Sequence, residues 1–127
     1  MVWVDLVTLL AVLEFLGMAW LVGKARVRHK VRAPATTGNE QFERWFRVQQ
    51  NTLETLIMFL PALWIAAHYW PPGWMALLGM VYIIGRVVYL FGYVRDPRTR
   101  GLGYWLSIVP VGLLVALGFA GIIKSLL

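Results

Sequence analysis

The sequence predicts an all-α integral membrane protein, a bundle of four transmembrane helices. Hydrophobic residues make up 60% of the 127 residues and charged residues only 14%, whereas a typical soluble domain is about 45–50% apolar. The apolar residues form four segments, each long enough to cross a hydrocarbon core of ~30 Å. Too few charged side chains remain to cover a soluble surface. The length fits one domain over residues 1–127.

The net charge of +6 is concentrated between the apolar segments. Five of the twelve basic residues lie within 24–32, and three more lie within 95–100. The positive-inside rule therefore predicts that the connections 24–44 and 95–101 are cytoplasmic, with both termini and the turn at 70–74 on the other face. This position favours membrane anchoring over nucleic-acid binding. The expected membrane is a bacterial inner membrane, or the endoplasmic reticulum in a eukaryote.

The first apolar segment predicts a helix over residues 2–23. Asp5 precedes it and a basic run follows it, which is unlike a cleaved signal peptide, so we expect a retained helix. Glu14 lies near its middle and has to face other helices, where its simplest role is that of a buried hydrogen-bonding acid. The chain has no cysteine, and His29 and His68 are isolated, so we expect no metal site.

The second helix is expected over residues 41–69, with a kink at Pro61. At ~100° per residue, its polar positions fall within an arc of roughly 80°; they are Arg44, Arg47, Asn51 and Glu54. Charged side chains in a membrane helix usually line a cavity or a functional site. Snorkelling to the interface is an alternative for the two arginines. It does not suit Glu54, about three turns into the helix.

The third helix is expected over 74–94, after the aromatic turn 70–74, and the fourth over 102–123 with a kink at Pro110. Glycines in the third helix allow close helix packing. Its polar residues fall within an arc of ~60°; they are Tyr82, Arg86, Tyr89 and Tyr93. A tyrosine stripe alone is typical of a core. The arginine within it, at membrane depth, favours a functional role.

Residues 36–100 resemble the membrane-associated eicosanoid and glutathione metabolism family (MAPEG). This family contains microsomal glutathione transferases, leukotriene C synthase and the lipoxygenase-activating protein. The resemblance lies in independent polar positions on two helices and a loop. The residues that carry it are Phe42-Glu43-Arg44, Arg47 to Glu54, Phe59-Leu60, Leu63-Trp64, Gly79 to Tyr82, Arg86, Tyr89, Gly92-Tyr93 and Arg100.

The resemblance implies a homotrimer of four-helix subunits that holds glutathione between adjacent subunits. The positions that match the family's glutathione site in the leukotriene-synthase-like branch are Arg47, Asn51, Glu54, Tyr89, Tyr93 and Arg100. Arg26 and Gln49 match positions that reach the site from the neighbouring subunit. Arg86 matches an arginine at the base of the site. Glutathione and a lipophilic electrophile or lipid hydroperoxide are thus the implied partners.

Glutathione carries two carboxylates, an ammonium and a thiol, and the matching side chains suit these groups. Arg47 and Arg26 can pair with carboxylates, Glu54 with the ammonium, and Asn51 and Gln49 with the peptide groups. The thiol has to ionise before it attacks an electrophile. Arg100 is the candidate catalytic cation, and Tyr93 can donate a hydrogen bond to the same sulfur. The sequence therefore predicts a microsomal-type glutathione transferase, with peroxidase activity open to the same thiolate.

Two departures from the branch argue against a leukotriene-specific enzyme. Thr55 stands where an aromatic residue is usual, and Val27 stands where an arginine linked to the second substrate is expected. Two other functions are alternatives for a small protein with four membrane helices. A lipid-binding scaffold like the lipoxygenase-activating protein would not need the matching polar positions together. A small drug–proton antiporter would account for Glu14, but it would not need Arg47, Glu54 and Arg86.

Overall fold

The structure, a computed structural model, describes residues 1–127 and contains four long helices and no strand. The helices are α1 (Val2–His29), α2 (Glu40–Tyr69), α3 (Pro72–Arg95) and α4 (Gly101–Leu126). A single 3₁₀ turn, Pro97–Thr99, connects α3 to α4. Each of the four helices is long and apolar enough to cross a membrane. The predicted all-α architecture with four candidate membrane spans is confirmed.

α1 continues through His29, whereas the sequence predicts its end at residue 23. The difference arises because hydropathy marks where a helix leaves the membrane, while arginine and lysine are good helix formers that can prolong it into the polar layer. The helix ends at Lys30, whose left-handed conformation (φ 56°) directs its N–H to the carbonyl of Arg26. The basic run 24–28 therefore lies on a helix.

α2 begins one residue before its predicted start because Asn39 caps it. The Asn39 side chain accepts a hydrogen bond from the N–H of Phe42 at 2.9 Å. The helix continues past Pro61 to Tyr69, packing against α1, α3 and α4 along its length. The two helices predicted to carry polar stripes, α2 and α3, each contact all three other long helices.

α3 and α4 approach closely at two glycines. A Cβ on Gly85 would lie 2.7 Å from the backbone of Leu106, and a Cβ on Gly103 would overlap the backbone of Tyr89. Only glycine permits this separation. The contact holds the tyrosine-bearing face of α3 in a fixed register against α4. Large apolar side chains remain exposed along all four helices, as expected for surfaces that face lipid or a second subunit.

Candidate functional site

A polar cleft lies where the start of α2 meets the end of α3. Its volume is about 320 Å³, and seven of its nine lining residues are not hydrophobic. Arg47 from α2 and Tyr93 from α3 both line it, so the structure brings together two side chains predicted on separate helices. The other lining residues are Thr36, Thr37, Glu40, Glu43, Arg44, Phe46 and Pro97. The mixed charges suit a small zwitterionic ligand.

Arg44 forms one wall of the cleft and ties α2 to the end of α3. Its Nη1 donates to the carbonyls of Val94 and Arg95, both at 3.2 Å, and its Nη2 forms an ion pair with Glu40 at 2.8 Å. A cation at these carbonyls satisfies groups that a helix end leaves free. The structure therefore gives Arg44 a structural role within the stripe.

A column of stacked side chains leads from the cleft into the bundle. The rings of Tyr93 and Tyr89 stack with their centroids 5.6 Å apart. The guanidinium of Arg86 lies 4.3 Å from the ring of Tyr89, a cation–π distance. Tyr93 is half-buried, Tyr89 is buried and Arg86 is completely buried. The predicted stripe on α3 thus forms a continuous connection between the cleft and the bundle interior.

Arg86 hydrogen-bonds to two neighbouring helices. Its Nε donates to Oγ of Ser107 at 2.8 Å, and its Nη1 donates to Oδ1 of Asn51 at 2.6 Å and to Oγ1 of Thr52 at 3.3 Å. Ser107 in turn donates to the carbonyl of Gly103 at 2.6 Å. Because Asn51 accepts through its oxygen, its amide nitrogen remains available as a donor. The arginine therefore fixes how a predicted ligand-binding side chain is oriented.

Arg100 lies at the start of α4, next to the 3₁₀ turn. Its guanidinium is exposed and donates from Nη1 to the carbonyl of Pro97 at 2.8 Å. The turn itself is held by Asp96, whose carboxylate accepts hydrogen bonds from the backbone N–H and the side chain of Arg98. These bonds lower the pKa of Asp96. Because Pro97 lines the cleft, Arg100 lies at the edge of the cleft.

Of the nine predicted site residues, only Arg47 and Tyr93 line the cleft itself. Asn51, Arg86 and Tyr89 belong to the hydrogen-bonded and stacked column behind it, and Arg100 bonds to Pro97 in its wall. The remaining three are Arg26, Gln49 and Glu54. Arg26 donates from Nη1 to the carbonyl of Ala35 at 2.6 Å, and its guanidinium lies 4.8 Å from the ring of Phe42. Gln49 is half-buried, and Glu54 is exposed. None of these three lines the cleft. A ligand site that uses these three residues together with Arg47 and Tyr93 requires a surface of a second subunit.

Some residues of this region were not identified from the sequence. Glu43 lines the cleft, and Thr52 and Ser107 hold Arg86. A serine in an apolar helix and a threonine next to Asn51 are weak signals, because either can be satisfied by its own backbone. Only the position of Arg86 on α3 relative to α2 and α4 gives them a role. No cluster of three or more potential metal ligands is present.

Comparison with known proteins identifies one family. A sequence model of the MAPEG family matches residues 4–120. The chain is 41% identical to microsomal glutathione S-transferase 2 of Homo sapiens over 121 residues, which are 95% of this chain and 82% of that protein. It is 39% identical to leukotriene C4 synthase of Cavia porcellus, with 95% and 81% of the two chains covered. An uncharacterized protein of Synechocystis sp. is 46% identical over 107 residues, 84% of this chain and 78% of that protein.

Proposed function

Because the chain belongs to the MAPEG family, we propose that it is a membrane-bound glutathione transferase that conjugates glutathione to lipophilic electrophiles. The names of the relatives, a microsomal glutathione S-transferase and a leukotriene C4 synthase, support this reaction class. The observation that carries the proposal is the polar cleft, in which Arg47 and Tyr93 meet at the end of an apolar bundle. Membership and the four apolar helices together identify an integral membrane protein.

The cleft and the predicted binding residues around it provide groups that match the charges of glutathione. Arg47 would bind a carboxylate through a charge-assisted, bidentate contact. The amide nitrogen of Asn51, oriented by Arg86, would donate to a peptide carbonyl. Glu54 would bind the ammonium, and Arg26 and Gln49 would add contacts from an adjacent subunit. Tyr89 would form the floor beneath the peptide.

In the proposed reaction, Arg100 and Tyr93 act on the thiol. The positive charge of Arg100 favours the thiolate over the thiol, and the Tyr93 hydroxyl donates a hydrogen bond to the sulfur. The thiolate attacks the electrophilic carbon of the second substrate, a carbon–sulfur bond forms, and the leaving group departs with its electron pair. We propose peroxidase activity as a second reaction of this site: the thiolate attacks a peroxide oxygen of a lipid hydroperoxide, the O–O bond breaks and the lipid alcohol leaves. The resulting glutathione sulfenic acid reacts with a second glutathione to give the disulfide and water.

We further propose that the active unit is a homotrimer with its sites between subunits. Within one subunit, Arg26, Gln49 and Glu54 lie away from the cleft that Arg47 and Tyr93 line. A neighbouring subunit would supply the missing contacts and enclose the ligand. The basic connections would face the cytoplasm, where the positive-inside rule places them.

The proposal is tested by titrating glutathione into the purified protein in detergent, followed by an aryl-halide conjugation assay. Arg47→Ala should raise the Kd for glutathione about thirtyfold, because losing one partner of such a pair costs at least ~2 kcal/mol. Arg32→Ala is the matched control, since Arg32 is exposed and lies outside the cleft. If the unsubstituted protein does not bind glutathione, the transferase proposal fails. If it binds but does not conjugate, a binding scaffold replaces it.

A further inference from the structure

The proposed chemistry leaves one buried acidic residue, Glu14, without a role. Glu14 lies in the middle of α1, on the face that also carries the buried residues Ala11 and Met18. Both of its carboxylate oxygens are inaccessible to solvent and have no hydrogen-bond partner. A buried carboxyl group without a partner is costly in a protein and more so at membrane depth. Its presence there calls for a complementary group nearby.

Arg86 has a complementary deficiency. Its Nε and Nη1 are occupied by Ser107, Asn51 and Thr52, but its Nη2 is buried and without a partner. The side chain is 0% exposed. Ala11 and Met18, which flank Glu14 on α1, belong to the same buried clusters as Tyr82 and Tyr89, which flank Arg86 on α3. Glu14 and Arg86 therefore lie at the same level of the α1–α3 interface. Thus one helix carries an unused acceptor, and the facing helix carries an unused donor of opposite charge.

We propose that Glu14 is the counter-charge of Arg86 and, through it, a positioning residue for the glutathione site. This inference rests on the proposed function for its second half only. The first half, a Glu14–Arg86 pair that neutralises the bundle interior, follows from the two unpaired groups alone. Breaking a buried pair by removing one partner leaves the other as an uncompensated buried charge.

The positioning effect follows from the shape of the guanidinium group. The group is planar and its N–H directions are fixed relative to one another, so the contact made by Nη2 limits where Nη1 can point. Nη1 holds Oδ1 of Asn51, and the plane of the group covers the ring of Tyr89. Glu14 would therefore keep both Asn51 and Tyr89 oriented toward the ligand without contacting the ligand itself.

The simplest alternative is that Glu14 is only a hydrogen-bonding acid that fills space between helices. Glu14→Gln separates the two roles, because glutamine keeps the size and the acceptor but removes the charge. Glu14→Asp keeps the charge on a side chain shorter by one methylene. Asp5→Asn is the matched control, since Asp5 is the other acidic residue of α1 and is exposed in its first turn.

A double-mutant cycle on thermal stability in detergent tests the pairing without glutathione. Glu14→Gln and Arg86→Gln should each lower Tm, and the double variant should lose clearly less than the sum of the two. Additive losses would overturn the pairing. Should Arg86→Gln fail to fold, the single variants decide: Glu14→Asp should lie closer in Tm to the unsubstituted protein than Glu14→Gln does, and the reverse order contradicts the proposal.

The positioning role is tested by the Kd for glutathione in the same detergent. Glu14→Gln should weaken binding about tenfold, Glu14→Asp less than that, and Asp5→Asn not at all. In an Asn51→Ala background, Glu14→Gln should weaken binding clearly less, because only the effect transmitted through Tyr89 remains. An undiminished effect in that background would refute positioning through Asn51. If the unsubstituted protein binds no glutathione, the proposed function fails, while the stability cycle still decides the pair.

Discussion

Replacing Arg100 by alanine separates the ionisation of the thiol from the binding of the peptide. The Arg100 guanidinium is exposed, and the one hydrogen bond it makes within the subunit goes to the carbonyl of Pro97. Its removal should therefore leave the fold intact. Arg47, Asn51 and Tyr93 would remain to bind glutathione, so the Kd should change little. What would be lost is the positive charge near the sulfur.

The size of the effect follows from the charge that is removed. If glutathione and the neighbouring subunit of the proposed trimer cover the guanidinium, lowering the thiol pKa by ~2 units corresponds to about 2.7 kcal/mol. The thiol of bound glutathione would then have a pKa of ~6.5 with Arg100 present and ~8.5 without it. Removing Arg100 therefore lowers the thiolate fraction at pH 6.5 from about one half to about 1%, roughly fiftyfold. At pH 9 the two fractions differ by about 1.3-fold.

Turnover should fall less than the thiolate fraction does. A more basic thiolate is a better nucleophile, and a Brønsted coefficient of ~0.45 over ~2 units restores a factor of about eight. The net loss of rate at pH 6.5 is then about sixfold. It vanishes near pH ~7.6, and at pH 9, where the thiolate fractions differ little, the variant should turn over about sixfold faster than the unsubstituted protein. The pH dependence of the loss, more than its size, is the signature of a cation that stabilises the thiolate.

The assay is a pH–rate profile with an aryl halide, recorded with the ultraviolet absorbance of the bound thiolate. Arg98→Ala is the matched control, because Arg98 is an exposed arginine of the same loop that pairs with Asp96. It should leave the thiolate absorbance unchanged. If Arg100→Ala leaves both thiolate absorbance and turnover unchanged at pH 6.5, the reasoning is refuted, and Tyr93 or Arg86 becomes the candidate for stabilising the sulfur.

Three further predictions concern packing, assembly and topology. Gly103→Ala should destabilise the protein by ~1–3 kcal/mol, because the added Cβ overlaps Tyr89. Gly112→Ala is the control and should not destabilise it, because a Cβ there meets open space. Equal Tm values for the two variants would contradict the packing argument. Native mass spectrometry in detergent should show a trimer that binds glutathione, and a glutathione-binding monomer would refute assembly at the site. A reporter fused after Leu127 should be active on the non-cytoplasmic face, and cytoplasmic activity would reverse the predicted orientation.

The four apolar segments predicted the helices, and helical periodicity predicted the polar faces of α2 and α3. Arg47 and Tyr93 were assigned to separate helices, and the structure places both around one cleft. Asn51 and Arg86 were likewise on separate stripes, and they form a hydrogen bond of 2.6 Å. A helix presents a continuous face at a known angle, so two polar stripes in apolar helices can reduce their burial cost by facing each other.

The contacts within that interface could not be predicted in the same way. They depend on the relative rotation and vertical register of two helices, which hydropathy does not specify. Arg44 is the clearest case, because its neighbours in sequence suggest a ligand, whereas its position relative to α3 makes it a partner of the Val94 and Arg95 carbonyls. The pairing of Glu14 with Arg86 required the same information about α1.

Glu54 provides the strongest physical reason to expect a second subunit at this site. At ~1.5 Å per residue it lies about 21 Å from the start of α2 and about 22 Å from its end, near the middle of the helix. It is exposed, and so are its neighbours Leu53, Ile57 and Met58. A carboxylate at the end of a polar stripe, with exposed apolar side chains beyond it, is expensive at membrane depth when it faces lipid. A neighbouring subunit that covers this face and brings a cation, together with the ammonium of glutathione, would remove that cost. The exposed glutamate is therefore better explained as one half of an intersubunit site than as part of a lipid-facing surface.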